Sequence, residues 1–351
     1  MSLFEYENDS NLIKTLKQNI IKNRLPINAN LFLTNKCNFK CLHCYVQSQK
    51  NMDDGSLSII QWKKVLDILK QKGCISITFS GGEVLASDKF FDIYQYATCK
   101  NFHVTLITNI SLLKPSHVEL FKKNKPNNII ITIYGATNET YHKFCGVNGA
   151  WDRVSKNILL LKKLGINIQL QTVLNTVNYE ELAKMKKFAE EQNLSFMVFR
   201  GINCEIDGNA RPLQYQISVE QEIESFRIMN DGAYFLQTAD GNVKMWELGY
   251  KKCFAGIANC YIDCCGNMFL CNHVSEPKYN ILDIGFDYAW DKIYELRQTE
   301  IEIANDCSRC DNKNFCGKCT PLFKKLEASI GFPFADCSKI LSIKDFLKRE
   351  K

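Results

Sequence analysis

Cysteine carries the first chemical signal in this chain. There are 17 cysteines among 351 residues, far more than a reducing compartment would need for ordinary packing and unsuited there to disulfides. At that density thiolates read as metal ligands. Their placement agrees: three fall within residues 37–44 and ten within 253–337, while Cys74, Cys99, Cys145 and Cys204 are scattered and read as small buried hydrophobes. In the first group, Cys37-x3-Cys41-x2-Cys44 lets one tight loop present three thiolates to one face of an iron–sulfur cubane, leaving one iron without a protein ligand. A site built only for electron storage normally recruits a fourth ligand, so the open iron points to chemistry at the metal.

Elements must position that loop. From residue 29 to about 201, short β-rich apolar runs alternate with amphipathic helical stretches. Strands are predicted at 29–34, 75–79, 104–108, 129–134, 168–173 and 196–199, and helices at 58–72, with Ser58 as its cap, 151–164, 179–191 and 219–230. This rhythm predicts an α/β fold, a partial (β/α)6 barrel of the TIM type, followed by a small cysteine-rich domain. The expected divisions are an N-terminal extension at 1–28, the barrel at 29–235, the cysteine-rich domain at 236–340 and a tail at 341–351. The segment after 235 has few long apolar stripes, so metal binding is expected to contribute to holding it together. The first cysteine loop directly follows the first strand, at the end of a barrel strand where such folds carry out chemistry.

The loop Cys37-x3-Cys41-x2-Cys44 after a strand resembles the signature of the radical S-adenosylmethionine (SAM) superfamily. The second strand runs into Ser80-Gly81-Gly82-Glu83, which resembles the Gly-Gly-Glu motif of that family. Glycine permits close backbone approach, and Glu83 offers a carboxylate for the SAM ammonium. The resemblance implies that Cys37, Cys41 and Cys44 hold a [4Fe–4S] cluster whose open iron binds SAM, and that one electron cleaves SAM to methionine and a 5′-deoxyadenosyl radical. It further implies SAM contacts from Gly81, Gly82, Glu83, Asn109, Thr132 and Gln171.

Cys253-x12-Gly266-x4-Cys271, then Cys307-x2-Cys310-x5-Cys316-x2-Cys319 and Cys337, resembles the SPASM domain, which binds two auxiliary [4Fe–4S] clusters. Three clusters in all are therefore expected. By that resemblance Cys307, Cys310, Cys316 and Cys337 hold the distal cluster, and Cys253, Cys271 and Cys319 the proximal one. Cys260 fits best as the fourth proximal ligand, with Cys264 and Cys265 as alternatives. A zinc ribbon is the competing reading of the paired Cys-x2-Cys spacings.

Relatives with this layout imply an oxidoreductase that modifies a peptide or protein side chain, by thioether or carbon crosslinking or by dehydrogenation, with the auxiliary clusters accepting electrons or binding substrate. The stretch 132–141 with Gly146 to Gly149 looks more like the peptide-maturase branch than the haem branch. Expected partners are that substrate, an electron donor such as flavodoxin or ferredoxin, and a separate leader-peptide-binding protein, since only 36 residues precede Cys37. Formylglycine formation, as in sulfatase maturation, is disfavoured because Asn272 stands where a basic aspartate is required, and an amide is no base. Porphyrin or other small-metabolite modification is the second enzymatic reading. A non-catalytic iron–sulfur or zinc storage or redox-sensing protein is the reading outside enzymology. Glu205, Asp207 and His273 are the candidate acid/base or substrate contacts, and Arg200 and Arg211 could bind substrate carboxylates. A formal charge of +6 spread along the chain, without basic runs, argues against nucleic acid. The absence of a long apolar run or a signal-like start argues against a membrane and for a cytoplasmic setting.

Overall fold

The computed structural model of the protein describes residues 11–46, 55–231 and 253–300, together with positions 342, 345 and 346. Six strands, β1 (Asn28–Phe32), β2 (Ser76–Ser80), β3 (His103–Thr108), β4 (Asn128–Thr132), β5 (Ile168–Val173) and β6 (Ser195–Phe199), coincide with the six predicted segments. They pair in parallel in sequence order. The helices are α1 (Asn11–Lys22), α2 (Ile59–Gln71), α3 (Phe90–Cys99), α4 (Pro115–Lys123), α5 (Asn138–Cys145), α6 (Ala150–Lys163), α7 (Leu182–Glu191), α8 (Val219–Met229) and α9 (Phe286–Glu300). The result is the partial TIM-type barrel expected from the alternation. No described helix is long and apolar enough to cross a membrane.

Period-two alternation sorts the strand residues onto two faces. Ala29, Leu31, Ile77, Phe79, Val104, Leu106, Ile129 and Ile131 are buried in the same core as Trp62, Val65, Leu66 and Leu69 of α2 and Phe90 and Tyr94 of α3. This helix-facing layer is why the strands read as apolar runs in sequence. Their neighbours on the other face, among them Phe32, Thr78, Ser80, Thr132 and Gln171, are half-buried and form the inner wall. Along the edge strand β6 the inner-wall register positions Met197 and Phe199 pair with Gln171 and Val173 and are each 45% exposed. The cap of α2 is the expected one: Gln61 N donates to Ser58 Oγ, and Ser58 N donates back to Gln61 Oε1.

The sheet does not stop at β1. A further strand, β7 (Asn259–Ile262), pairs in parallel with the outer edge of β1, aligning Asn28 with Asn259 and Leu31 with Ile262. It continues through the antiparallel strands β8 (Asn267–Phe269) and β9 (Tyr279–Asn280). Residues expected to belong to a separate cysteine-rich domain thus extend the barrel sheet and cover the free edge of its first strand, which would otherwise expose unpaired backbone groups. A strand of four residues is too short for period-two alternation to be visible in sequence, which is why this join was not anticipated. Of the scattered cysteines, Cys74, Cys145 and Cys204 are buried as expected, whereas Cys99, at the end of α3, is exposed.

One packed side chain makes stability depend on pH. His117 on α4 is buried against Phe91, with ring centroids 4.8 Å apart, and its Nδ1 accepts from Lys114 N at 3.0 Å. Burial first, and then the Lys114 charge, lower its pKa from 6.5 to about 4. The folded pKa lies below the unfolded one, so between those values the unfolded chain binds more protons. The stabilisation by neutral His117 is complete above pH 6.5 and is lost as pH falls through that window. Urea denaturation should show stability falling from pH 7 to pH 5. His117→Gln should lower stability at pH 7 and flatten that slope; an unchanged slope would refute the assignment.

Candidate functional site

The loop from residue 33 to 46 leaves β1 and is held from several sides. Gly82 N donates to Thr34 O and Glu83 N to Lys36 O, each at 2.8 Å, tying the loop to the end of β2. Lys40 N donates to Cys145 O and Leu42 N to Phe144 O, tying it to the end of α5. Arg211 reaches across to donate to the carbonyls of Leu42 and Cys44 at 3.0 and 3.3 Å. Cys41 is buried and Cys37 and Cys44 are half-buried, and none of the three is in a disulfide. The phenol of Tyr134 is pushed well upward, by burial first and then by Cys41, Cys145 and Cys37, so at least two of the loop thiols gather at one ring. Among the described residues no three His, Cys, Asp or Glu side chains close around a single metal ion. Three reduced thiols on one anchored loop, with no fourth cysteine in it, are the donor set of a cubane with an open iron, and the loop fits that group.

The two glycines earn their place by contact. A Cβ on Gly81, whose φ is +134°, would lie 2.3 Å from Thr34 O, and one on Gly82 would lie 2.4 Å from Lys36 O. Glu83 is fully buried, and its carboxylate accepts from Thr108 Oγ1, from Asn109 N at 2.7 Å and from Leu85 N at 3.1 Å. Burial raises its pKa while these donors pull it down. A carboxylate has about four acceptor positions, so one remains for an incoming ammonium. Asn109 is turned into the protein: its Nδ2 donates to Asn38 Oδ1, and its Oδ1 accepts from Ser111. It anchors the cysteine loop rather than lining open space. Thr132 and Gln171 do stand on the inner wall, joined by a hydrogen bond of 2.9 Å from Gln171 Nε2 to Thr132 Oγ1. His43 packs between Phe144 and Tyr134, and burial followed by Arg211 lowers its pKa to about 4, which keeps it neutral.

The second cysteine group divides. Tyr261 of β7 is pushed upward by burial and then by Cys271 and Cys253, so both cysteines lie near its hydroxyl. Cys260, its neighbour in the strand, points to the opposite face, where its thiol sits 3.6 Å from Asn28 O beside Cys74, fully buried. Cys264 and Cys265 occupy the turn beyond β7, with sulfurs 4.0 Å apart, and Asn35 Nδ2 donates to Cys264 at 3.5 Å. The four residues of β7 separate this turn from Cys253, roughly 13 Å at the usual strand rise. Cys260 is expected to complete a set with Cys253 and Cys271; alternation in β7 turns its thiol toward Asn28 O and Cys74, on the face opposite Tyr261. Cys307, Cys310, Cys316, Cys319 and Cys337 lie outside the described residues.

A pocket opens between the loop after β1 and the β7–β8 hairpin, lined by Phe32, Tyr45 and Gly81 on the barrel side and by Phe269, Asn272 and Lys278 on the hairpin side. Asn272 Nδ2 donates to Tyr45 Oη at 3.1 Å. Burial and the adjacent Cys44 raise the Tyr45 pKa to about 12, so it stays a phenol. The three acid/base candidates are not brought together. Glu205 is buried in an ion pair with Arg211 at 2.7 Å and belongs to the clamp on the loop carbonyls, which removes both from substrate. Asp207 closes an exposed turn by accepting from Asn209 N. His273 is half-buried beside Cys271. Arg200 is likewise occupied, by Asp231 at 2.9 Å. Tyr45, the residue reasoning from sequence passed over, was marked only by standing directly after Cys44.

Residues 31–189 match the Radical SAM superfamily. The chain is similar to the AdoMet-dependent heme synthase of Methanosarcina barkeri, 28% identical over 313 residues that cover 82% of this chain and 89% of that one. It is also similar to the mycofactocin maturase MftC of Mycobacterium tuberculosis, 24% identical over 308 residues, 83% and 77% of the two chains. In fold it resembles Streptococcus suis SuiB bound to precursor peptide SuiA, with a TM-score of 0.69 at 18% identity over 91% of this chain and 79% of that one.

The glycine contacts make a direct forecast. Gly82→Ala must displace the backbone at Asn35 and Lys36, costing about 1–3 kcal/mol. Thermal melts should show the loss of stability, and anaerobic reconstitution should leave the variant about four iron atoms short of the wild-type chain. Full iron content with an unchanged melt would refute the contact.

Proposed function

We propose that this chain, whose residues 31–189 are a radical SAM domain, is an oxidative radical SAM enzyme acting on a peptide or protein side chain. Cys37, Cys41 and Cys44 would hold the SAM-cleaving [4Fe–4S] cluster, and Cys253 and Cys271 would contribute to an auxiliary one, with the remaining auxiliary ligands among Cys307, Cys310, Cys316, Cys319 and Cys337. With cluster and SAM bound, the chemistry supplied is a 5′-deoxyadenosyl radical able to take hydrogen from an unactivated carbon. The observation that carries the reading is the pocket shared by Tyr45, next to Cys44, and Asn272, next to Cys271. A substrate there would be within reach of both cysteine groups, one to begin its oxidation and the other to accept the second electron.

The chain's own groups bind and orient. The last acceptor position on Glu83 takes the ammonium of the methionine moiety. The clamp of Arg211 on the Leu42 and Cys44 carbonyls holds the loop in place. Because Asn272 donates to Tyr45 Oη, the phenolic proton of Tyr45 is free to point into the pocket. Asn272 is no base, which supports an outcome other than formylglycine. Porphyrin modification is a second reading, favoured by the similarity to the heme synthase over most of both chains.

Anaerobic incubation with SAM and titanium(III) citrate should yield 5′-deoxyadenosine. A candidate precursor peptide should emerge lighter by two hydrogens; if only a porphyrin in the parallel arm changes mass, the second reading takes over. Replacing Cys37, Cys41 and Cys44 together by Ala should abolish 5′-deoxyadenosine while leaving about eight iron atoms of about twelve, and a folded triple variant that still cleaves SAM would defeat the proposal. Tyr45→Phe should leave substrate-free SAM cleavage within about threefold of wild type yet reduce product by tenfold or more, roughly the 1.4 kcal/mol lost with one hydrogen bond. Equal loss of both would assign Tyr45 to the loop instead.

A further inference from the structure

The end of α5 lies against the cysteine loop through side chains as well as backbone. Cys41 Sγ and Cys145 Sγ are 3.8 Å apart in hydrogen-bonding geometry, both buried. Tyr141 stands four residues before Cys145, so the two share one helix face. Its buried hydroxyl has no partner in hydrogen-bond geometry, and the groups acting on it are the Cys145 thiol, the Tyr134 backbone and the Cys41 thiol. From the end of β4, Tyr134 brings a third donor group, a buried phenol kept protonated by burial first and then by the Cys41 and Cys145 thiols.

This shell is rigidly built. Tyr134 packs on Phe39, Tyr141 and Phe144 with centroids 5.2 to 6.1 Å away. Glu181 fixes the segment between β4 and α5 by accepting from Ala136 N and Thr137 Oγ1, each at 2.7 Å. Gly146, left-handed at φ 72°, ends α5 directly after Cys145.

We propose that Cys145 and Tyr141, with Tyr134, are positioning residues that donate hydrogen bonds to the Cys41 thiolate and raise the potential at which the SAM-cleaving cluster accepts its electron. This rests on the radical SAM reading above. A metal-bound Cys41 has lost its proton and only accepts, so at this contact the Cys145 thiol is the donor. Reduction adds negative charge to the cluster, and donors on its sulfurs stabilise the reduced state more than the oxidised one. In a site this dry the effect is not screened by water. The buried, unpartnered hydroxyl of Tyr141 finds in the thiolate the acceptor it otherwise lacks.

The test is a redox titration of the reconstituted full chain followed by electron paramagnetic resonance. It tracks the signal component that changes when SAM is added, so that auxiliary clusters do not enter. Tyr141→Phe and Cys145→Ala should both move that midpoint to more negative potential with iron content and circular dichroism unchanged, and Cys145→Ser, which keeps a donor, should recover part of the shift. Wild-type midpoints in both Tyr141→Phe and Cys145→Ala would overturn the proposal. Loss of about four iron atoms in a folded Cys145→Ala would also overturn it, by making Cys145 a ligand. Should Cys145→Ala fail to fold, Tyr141→Phe, which keeps the ring, decides alone. A wild-type chain with no SAM-responsive signal at all would bring down the radical SAM reading and this inference with it.

Discussion

Backbone pressed against backbone at the top of the barrel is the contact from which the rest of the site follows. Gly81 and Gly82 come so close to residues 34–36 that no side chain fits between them, and Gly82 N and Glu83 N donate into the carbonyls of Thr34 and Lys36. That contact sets the height of the cysteine loop relative to β2 and leaves Glu83 buried. From there the carboxylate reaches Thr108 and Asn109 at the end of β3, and Asn109 passes the connection back to Asn38 inside the loop. The ring of contacts closes on itself and ties the loop to the ends of β2 and β3.

Buried carboxylates recur as the fasteners of this end of the molecule. Glu83 joins β2 to β3, Glu181 holds the segment after β4, and Glu205 with Arg211 grips the carbonyls of Leu42 and Cys44. A buried charge without partners is costly, so each is surrounded by donors, and removing any one donor would leave that charge exposed to the cost. The lower part of the barrel is held differently, by aliphatic and aromatic packing between strands and helices. The division suits a scaffold: an apolar body that folds generically carries a polar crown whose geometry is specific.

The join of β7 to β1 brings the neighbours of Cys44 and Cys271 to one cavity. Parallel pairing with β1 places the hairpin β7–β8 beside the loop, so that Phe269 stacks on Phe32 at 5.7 Å and Asn272 meets Tyr45. Without that pairing Cys271 and Cys44 would belong to separate units. With it, one pocket touches the neighbours of both.

The sequence by itself determined the six barrel strands, because helix-facing side chains at every second position form apolar runs that need no partner to be recognised. It determined the loop Cys37-x3-Cys41-x2-Cys44 and the Gly-Gly-Glu turn as well, since local spacing encodes both. Tertiary structure alone decided what lies between distant residues. The four residues of β7 carry too little pattern to reveal that they extend the sheet, and strand alternation there turned Cys260 away from Cys253 and Cys271. Glu205 looked like an acid/base candidate and Arg211 like a contact for substrate carboxylates until the fold paired them with each other. Cys145 looked like one more buried thiol until α5 docked it 3.8 Å from Cys41, about a hundred residues away in the chain. Periodicity and spacing are properties of neighbours in sequence, whereas the partner of a buried polar group is chosen by whatever the completed fold places next to it.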